Sequence, residues 1–150
     1  MVEEFRRFFI MSDFLSPRQV AAQWFYRLWT EHDGSVIAEL MAEGARAELE
    51  GGQITTGPGE FAVFFNTLLG TFPDISVKVL DIVEEGERAY VRWEASGTHE
   101  GGAMGLTPTK CAHGFRGITW MTVRGGKITE GGDSWNQAGL IARMSSAVPA

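Results

Sequence analysis

Asp133 stands after the glycine pair Gly131-Gly132 and before Ser134-Trp135-Asn136-Gln137, on a run that follows the turn Gly125-Gly126. A tight turn and a strand thus deliver an acid, an indole and an amide to one place. A carboxylate flanked by Gly and Trp loses part of its hydration. Desolvation penalises the charged form, so the pKa moves up toward the range useful for exchanging protons. Asp133 is accordingly the first candidate for proton chemistry, the alternative being a solvated strand residue or a turn-capping acid. His99 is the second candidate. At the end of an earlier strand-like run it could donate a hydrogen bond to an oxygen on which charge develops, the alternative being a satisfied core or loop histidine. His32 and His113 have no partner recognisable in the sequence, and Cys111 beside Lys110 lacks the nearby base that would make it a nucleophile.

The elements that must position these groups come in the order helices first, strands after. Ser16-Pro17 supplies an N-cap and a first-turn proline, and Val20, Trp24 and Leu28, with Phe25 and Trp29, recur at helical spacing to about residue 31. His32-Asp33-Gly34-Ser35 breaks that helix. A short second helix is predicted over 36–41 and a strand over 45–50, turned back by Gly51-Gly52. Gly57-Pro58-Gly59 opens a third helix with an apolar stripe of Phe61, Phe64, Phe65, Leu68 and Leu69, ended by Gly70 and Pro73. Period-two alternation then predicts strands over 75–84 and 88–99 around Glu85-Gly86-Glu87, and a later pair around Gly125-Gly126. Four long antiparallel strands are therefore expected after three helices, an α+β domain with the helices on the concave face of a curved sheet that encloses a pocket at its open end. On the second long strand Ala89, Val91, Trp93, Ala95, Gly97 and His99 share one face, predicted to point inward, with Gly97 leaving room between Trp93 and His99.

Composition bounds the partners. The chain has 150 residues, 44% hydrophobic and 21% charged, which fits one globular domain. A formal charge of −6 with 13 scattered Lys and Arg argues against a nucleic-acid-binding face. The single Cys111 excludes an internal disulfide, and three spread histidines form no ligand set for structural zinc. No apolar run approaches the roughly 20 residues that span a bilayer, and the start of the chain lacks the features of a signal peptide; the expected location is the cytoplasm. Residues 1–16 read as an extension, either poorly ordered or an amphipathic lid or arm; residues 17–144 as the domain; residues 145–150 as a tail. Residues 100–108, Gly-rich and including Met104, have the composition of a mobile loop.

Several motifs together resemble the SnoaL-like polyketide cyclase family, of the nuclear-transport-factor-like superfamily of α+β cones. They are Gly97-Thr98-His99-Glu100-Gly101, Pro108-Thr109, Phe115-Arg116-Gly117-Ile118, Gly126-Lys127-Ile128-Thr129-Glu130, and Asp133 through Leu140, and the resemblance covers about residues 17–144. It implies a small cone without metal or organic cofactor, a homodimer through the outer sheet face, and intramolecular aldol closure of a polyketide ring with a carboxylate as general acid/base. The chain departs from the family pattern at two places. Pro108-Thr109 is followed by Lys110-Cys111-Ala112 rather than Gly-Lys-Pro, and near the end Gly132 takes a Trp place and Asn136 takes an Asp place. In a regular strand Asp133 and Asn136 point to opposite faces, so without a bulge at most one of them enters the pocket. Asp133 is favoured because an amide does not exchange a proton at neutral pH, and Gly132 is expected to widen the pocket.

The substrate-lining set expected is Trp24, Leu28, Phe64, Trp93, Met104, Trp120, Trp135 and Asn136, around a hydrophobic small molecule. Three functions fit: a cyclase or isomerase of that kind; a non-catalytic small-ligand-binding or assembly domain; and an epoxide-opening hydrolase built from Asp133, Arg92 or Arg116, and Glu94 or Glu130.

Overall fold

Ser16 opens the first helix, α1 (Pro17–Gln23), with a reciprocal cap. Its hydroxyl accepts from the Gln19 backbone N–H at 3.2 Å, and its own N–H donates to Gln19 Oε1 at 2.9 Å. Removing the hydroxyl in Ser16→Ala is expected to cost about 1 kcal/mol, lowering the thermal midpoint by a few degrees in a melting experiment. The computed structural model describes residues 14–102 and 105–146. Most of the 1–16 extension, Met104 and residues 147–150 of the tail therefore lie outside the described residues.

The helix does not continue as the ordinary α-helix expected to residue 31. It passes into a π-helical segment, Trp24–Thr30, in which Trp24, Phe25, Leu28 and Trp29 are all buried. The wider i→i+5 turn, seen in the Glu31 N–H donating to the Tyr26 carbonyl at 3.0 Å, changes the angular step between side chains. More of the segment therefore faces the core. His32, at φ 58°, breaks the helix, and its ring lies 2.7 Å from the Ile75 carbonyl.

A short helix α2 (Ser35–Leu40) leads into β1 (Met41–Glu48), which starts earlier than the strand predicted over 45–50. Met41 is already paired with Ile128, and the register shift between Met41 and Arg46 absorbs the irregular stretch. After β2 (Ile54–Thr56), α3 (Gly57–Thr71) begins at a position only glycine can fill: Gly57 has φ +79°, and a Cβ there would lie 2.5 Å from the Glu43 carbonyl oxygen. Then come β3 (Ser76–Glu85), β4 (Arg88–Thr98), β5 (Ala112–Arg124) and β6 (Lys127–Trp135), close to the four long strands expected. The six-stranded sheet runs β2-β1-β6-β5-β4-β3, antiparallel except for the parallel β1/β6 pair, so it is mixed. The inward set of β4 is as predicted, with Ala89, Val91, Trp93, Ala95 and His99 buried against the helices.

A fourth helix, α4 (Gln137–Ser146), follows β6 and was not expected. Its Leu140 and Met144 form a second small core with Phe72 and Ile75 at one end of the sheet. The architecture is an α+β fold with a curved mixed sheet and helices on its inner face. Among the described residues no helix is long and apolar enough to cross a membrane.

Candidate functional site

The sheet and helices enclose a cavity of about 780 Å³, counting space open to solvent at its mouth. Trp24, Phe25 and Trp29 come from the π-helical segment, Phe61 and Phe64 from α3, and Trp93, Phe115 and Trp135 from the sheet. The charged residues in its lining are Asp133 and Arg46. Arg46 is half exposed and paired with Glu48 on the same strand, which leaves Asp133 as the charge set among aromatic rings.

Asp133 reaches this cavity because of a bulge. The β5/β6 hairpin starts with Arg124 opposite Lys127 and Val123 opposite Ile128; continued without interruption, that register would place Asp133 opposite the exposed Ile118. The register shifts between Thr122 and Val123, so Asp133 instead faces Thr119 and the inner side of the sheet. The same extra residue turns Trp135 inward. Its ring lies 5.0 Å from that of Phe115, which in turn meets Trp93 edge-on at 5.9 Å. Gly117 permits this stack, because a Cβ there would lie 2.8 Å from Trp93 Cζ2 and 2.6 Å from Trp135 Cβ.

The electrostatics follow from the burial. Removal from water raises the Asp133 pKa from 3.8 to about 6; the hydrogen bond from Thr119 Oγ1 to Oδ1 at 2.6 Å opposes the rise, and the negative charge of Glu50 adds to it. Glu50 is held nearby by the Trp135 backbone N–H, which donates to its Oε2 at 3.2 Å. A carboxyl whose folded pKa lies above its unfolded value binds protons more tightly in the folded state. Its stabilising contribution is therefore present below about pH 4 and lost as pH rises through about 6. Asp133→Asn removes the cost of the buried charge. Denaturant titrations are expected to show the variant more stable than the parent by about 2 kcal/mol near pH 7, with the difference vanishing near pH 4.

The other candidates divide. Trp24, Phe64, Trp93, Trp120 and Trp135 line the cavity. Leu28 does not: it is fully buried in the core and is not among the residues that line the cavity. Asn136 is also elsewhere. It is exposed on the outer side beside Arg116 and Arg143, and its Oδ1 accepts the Gly139 N–H at 2.9 Å to cap α4. Gly132 lies in the cavity lining, with its side-chain space filled by a neighbour. A Cβ there would lie 2.6 Å from Trp120 Nε1, so the missing side chain seats the Trp120 indole. The space at Gly97 is likewise taken, by Phe72, whose Cβ would be 2.9 Å from a Cβ at 97.

His99 is fully buried outside the cavity lining, behind Phe72, with ring centroids 5.9 Å apart. Its Nδ1 accepts the Thr109 N–H at 3.2 Å, which anchors the start of β5. His113, 6.2 Å away by ring centroids, is held below the usual histidine pKa by burial first and then by the charges of His99 and Arg143. The hydrolase set is not gathered either. Arg92 pairs with Asp81 at 2.8 Å on the exposed face, Glu94 and Arg116 stand opposite each other on that face, and Glu130 accepts from Thr122. Among the described residues no group of three or more His, Cys, Asp or Glu could hold a metal ion. Thr119 and Glu50 complete the surroundings of Asp133 and carry no motif in the sequence.

The fold is shared with solved structures of low sequence identity. A candidate SnoaL-like polyketide cyclase from Jannaschia sp. CCS1 is 21% identical, with a TM-score of 0.81 over 87% of this chain and 92% of that one. IdmH, a candidate polyketide cyclase from Streptomyces antibioticus, is 24% identical, with a TM-score of 0.74 over 86% and 98%. AclR, a candidate hydroxylase from Streptomyces galilaeus, is 23% identical, with a TM-score of 0.74 over 86% and 82%. No curated protein matches the chain. The sequence model described as SnoaL-like polyketide cyclase matches residues 19–144, which span α1 to α4 and carry Asp133, Thr119 and the aromatic lining alike, and the chain belongs to that family.

Proposed function

We propose that the protein moves protons on an apolar carbonyl compound of polyketide type, without a cofactor, closing a ring by intramolecular aldol addition or isomerising the compound, with Asp133 as the general acid/base. The observation that carries this reading is the Asp133 carboxyl, raised to about 6, set in an aromatic-lined cavity. Near pH 7 such a group is mostly ionised yet close enough to its midpoint to take a proton from carbon and return one to oxygen. In an aldol closure the carboxylate takes the proton on carbon next to a carbonyl, and the resulting enolate carbon bonds to a second carbonyl carbon. The new alkoxide then receives the proton from the carboxyl. Mass is conserved and the carboxylate is regenerated. The rings of Trp93, Phe115 and Trp135 offer flat apolar surfaces to a planar substrate, and their low dielectric sustains the raised pKa.

Incubation with a panel of polyketide methyl esters and terpene epoxides, followed by mass-resolved chromatography, tests this. The expected result is a new peak of unchanged mass from an ester. A product heavier by one water would support hydrolysis instead, and recovery of every compound unchanged would favour a binding domain.

A further inference from the structure

We propose that Trp93 and Thr119 form a one-way hydrogen-bond relay that fixes the Asp133 carboxyl and reserves its Oδ2 as the oxygen that exchanges protons with substrate. The inference rests on the assignment of Asp133 as the acid/base and adds two positioning residues to it.

The direction of the relay follows from donor chemistry. An indole nitrogen only donates, and a threonine hydroxyl has one hydrogen and two lone pairs. Trp93 Nε1 lies 2.9 Å from Thr119 Oγ1 and so occupies a hydroxyl lone pair. The hydroxyl hydrogen is then free for Asp133 Oδ1, 2.6 Å away. Reversal would seat an Asp133 proton on the second lone pair and turn the hydroxyl hydrogen away from Oδ1, its one acceptor among the described residues, leaving a buried donor unpaired. A proton on Oδ1 would meet the threonine hydrogen, so the protonated carboxyl carries its proton on Oδ2. Among the described residues, the hydrogen bond made to the Asp133 side chain is the one to Oδ1.

The sheet is built to hold this relay. Thr119 faces Asp133 directly across β5/β6, and Trp93 comes from β4, where its register partner is Gly117. With no side chain at Gly117, the Trp93 indole lies across β5 far enough to reach Thr119. Trp93 and Thr119 are both buried, so water does not compete for either bond. The charged group that acts on Asp133 is Glu50, after β1; Arg46, on β1 in the cavity lining, is paired with Glu48, and β4 and β5 bring the neutral pair to it.

Thr119→Val keeps the shape and removes the hydroxyl, Thr119→Ser restores it, and Trp93→Phe removes the orienting donor. Two measurements read the relay: the titration midpoint of the Asp133 carboxyl by carbon-13 NMR, which needs no substrate, and kcat and KM on an ester that the parent converts. Thr119→Val is expected to raise the midpoint by about one unit and lower kcat about tenfold, with KM nearly unchanged. Trp93→Phe should shift the midpoint upward by less, and Thr119→Ser should return both quantities to near the parent's values. An unmoved midpoint in Thr119→Val, or equal shifts in the Val and Ser variants, would overturn the relay. Should the midpoint move as expected while the parent converts no ester, the relay stands and the cyclase reading falls.

Discussion

Asp133→Asn is expected to lower kcat by about 10²–10⁴-fold while leaving the fold intact. Asparagine has the shape of the carboxyl, and its amide oxygen can still accept from Thr119 Oγ1, so the hydrogen bond that positions the side chain survives. What is lost is the ability to take a proton from carbon. Among the described residues no second carboxylate lines the cavity: Glu50 is held by the Trp135 backbone N–H, and Glu94 stands on the exposed face. Steady-state kinetics on an ester converted by the parent, with circular dichroism of both proteins, would check the expectation. A variant that turns over at the parental rate would remove Asp133 from the mechanism, whatever its surroundings.

Gly117→Ala is the second large effect, and it acts on structure. The added Cβ would lie 2.6 Å from Trp135 Cβ, 2.7 Å from the Ser134 carbonyl oxygen and 2.8 Å from Trp93 Cζ2. Alanine has no rotamer with which to escape, and one of the three obstacles is backbone, so β5 and β6 must separate or both indoles must move. Overpacking of this kind costs about 1–3 kcal/mol, which corresponds to a fall of roughly 2–12 °C in the thermal midpoint for a chain of this size. Because Trp93 also orients Thr119, activity should drop along with stability. Calorimetry and kinetics on the same preparation test both parts, and a midpoint within a degree of the parent's would show that the sheet yields more easily than this packing implies.

Asp133 could be singled out from the sequence because a carboxylate beside Gly and Trp near the end of a hairpin is rare enough to notice. The inward face of β4 was legible for a simpler reason: its alternation is uninterrupted from Ala89 to Gly97, and the structure adds no bulge to that strand's inward set. Thr119 was not legible. A lone threonine in a strand has no signature, and the turn at Gly125-Gly126, extended regularly, pairs Asp133 with Ile118; only the bulge between Thr122 and Val123 brings Thr119 opposite. The π-helical segment left no trace either, because Val20, Trp24 and Leu28 fit ordinary helical spacing as well. Asn136 was misread as lining because its role depends on α4, a helix with Gly139 in its first turn and so a weak signal. In the structure Asn136 caps α4, a place that asparagine and aspartate fill about equally well.

The central claim is that the cavity holds a carboxyl which titrates near neutrality, and carbon-13 NMR of the protein labelled at aspartate carboxyls measures it directly, with the Asp133 resonance identified by its absence in Asp133→Asn. A midpoint near 6 is the expected result. A midpoint near the ordinary aspartate value of about 4 would mean that the group is well solvated, and the account of Asp133 as the acid/base would be contradicted.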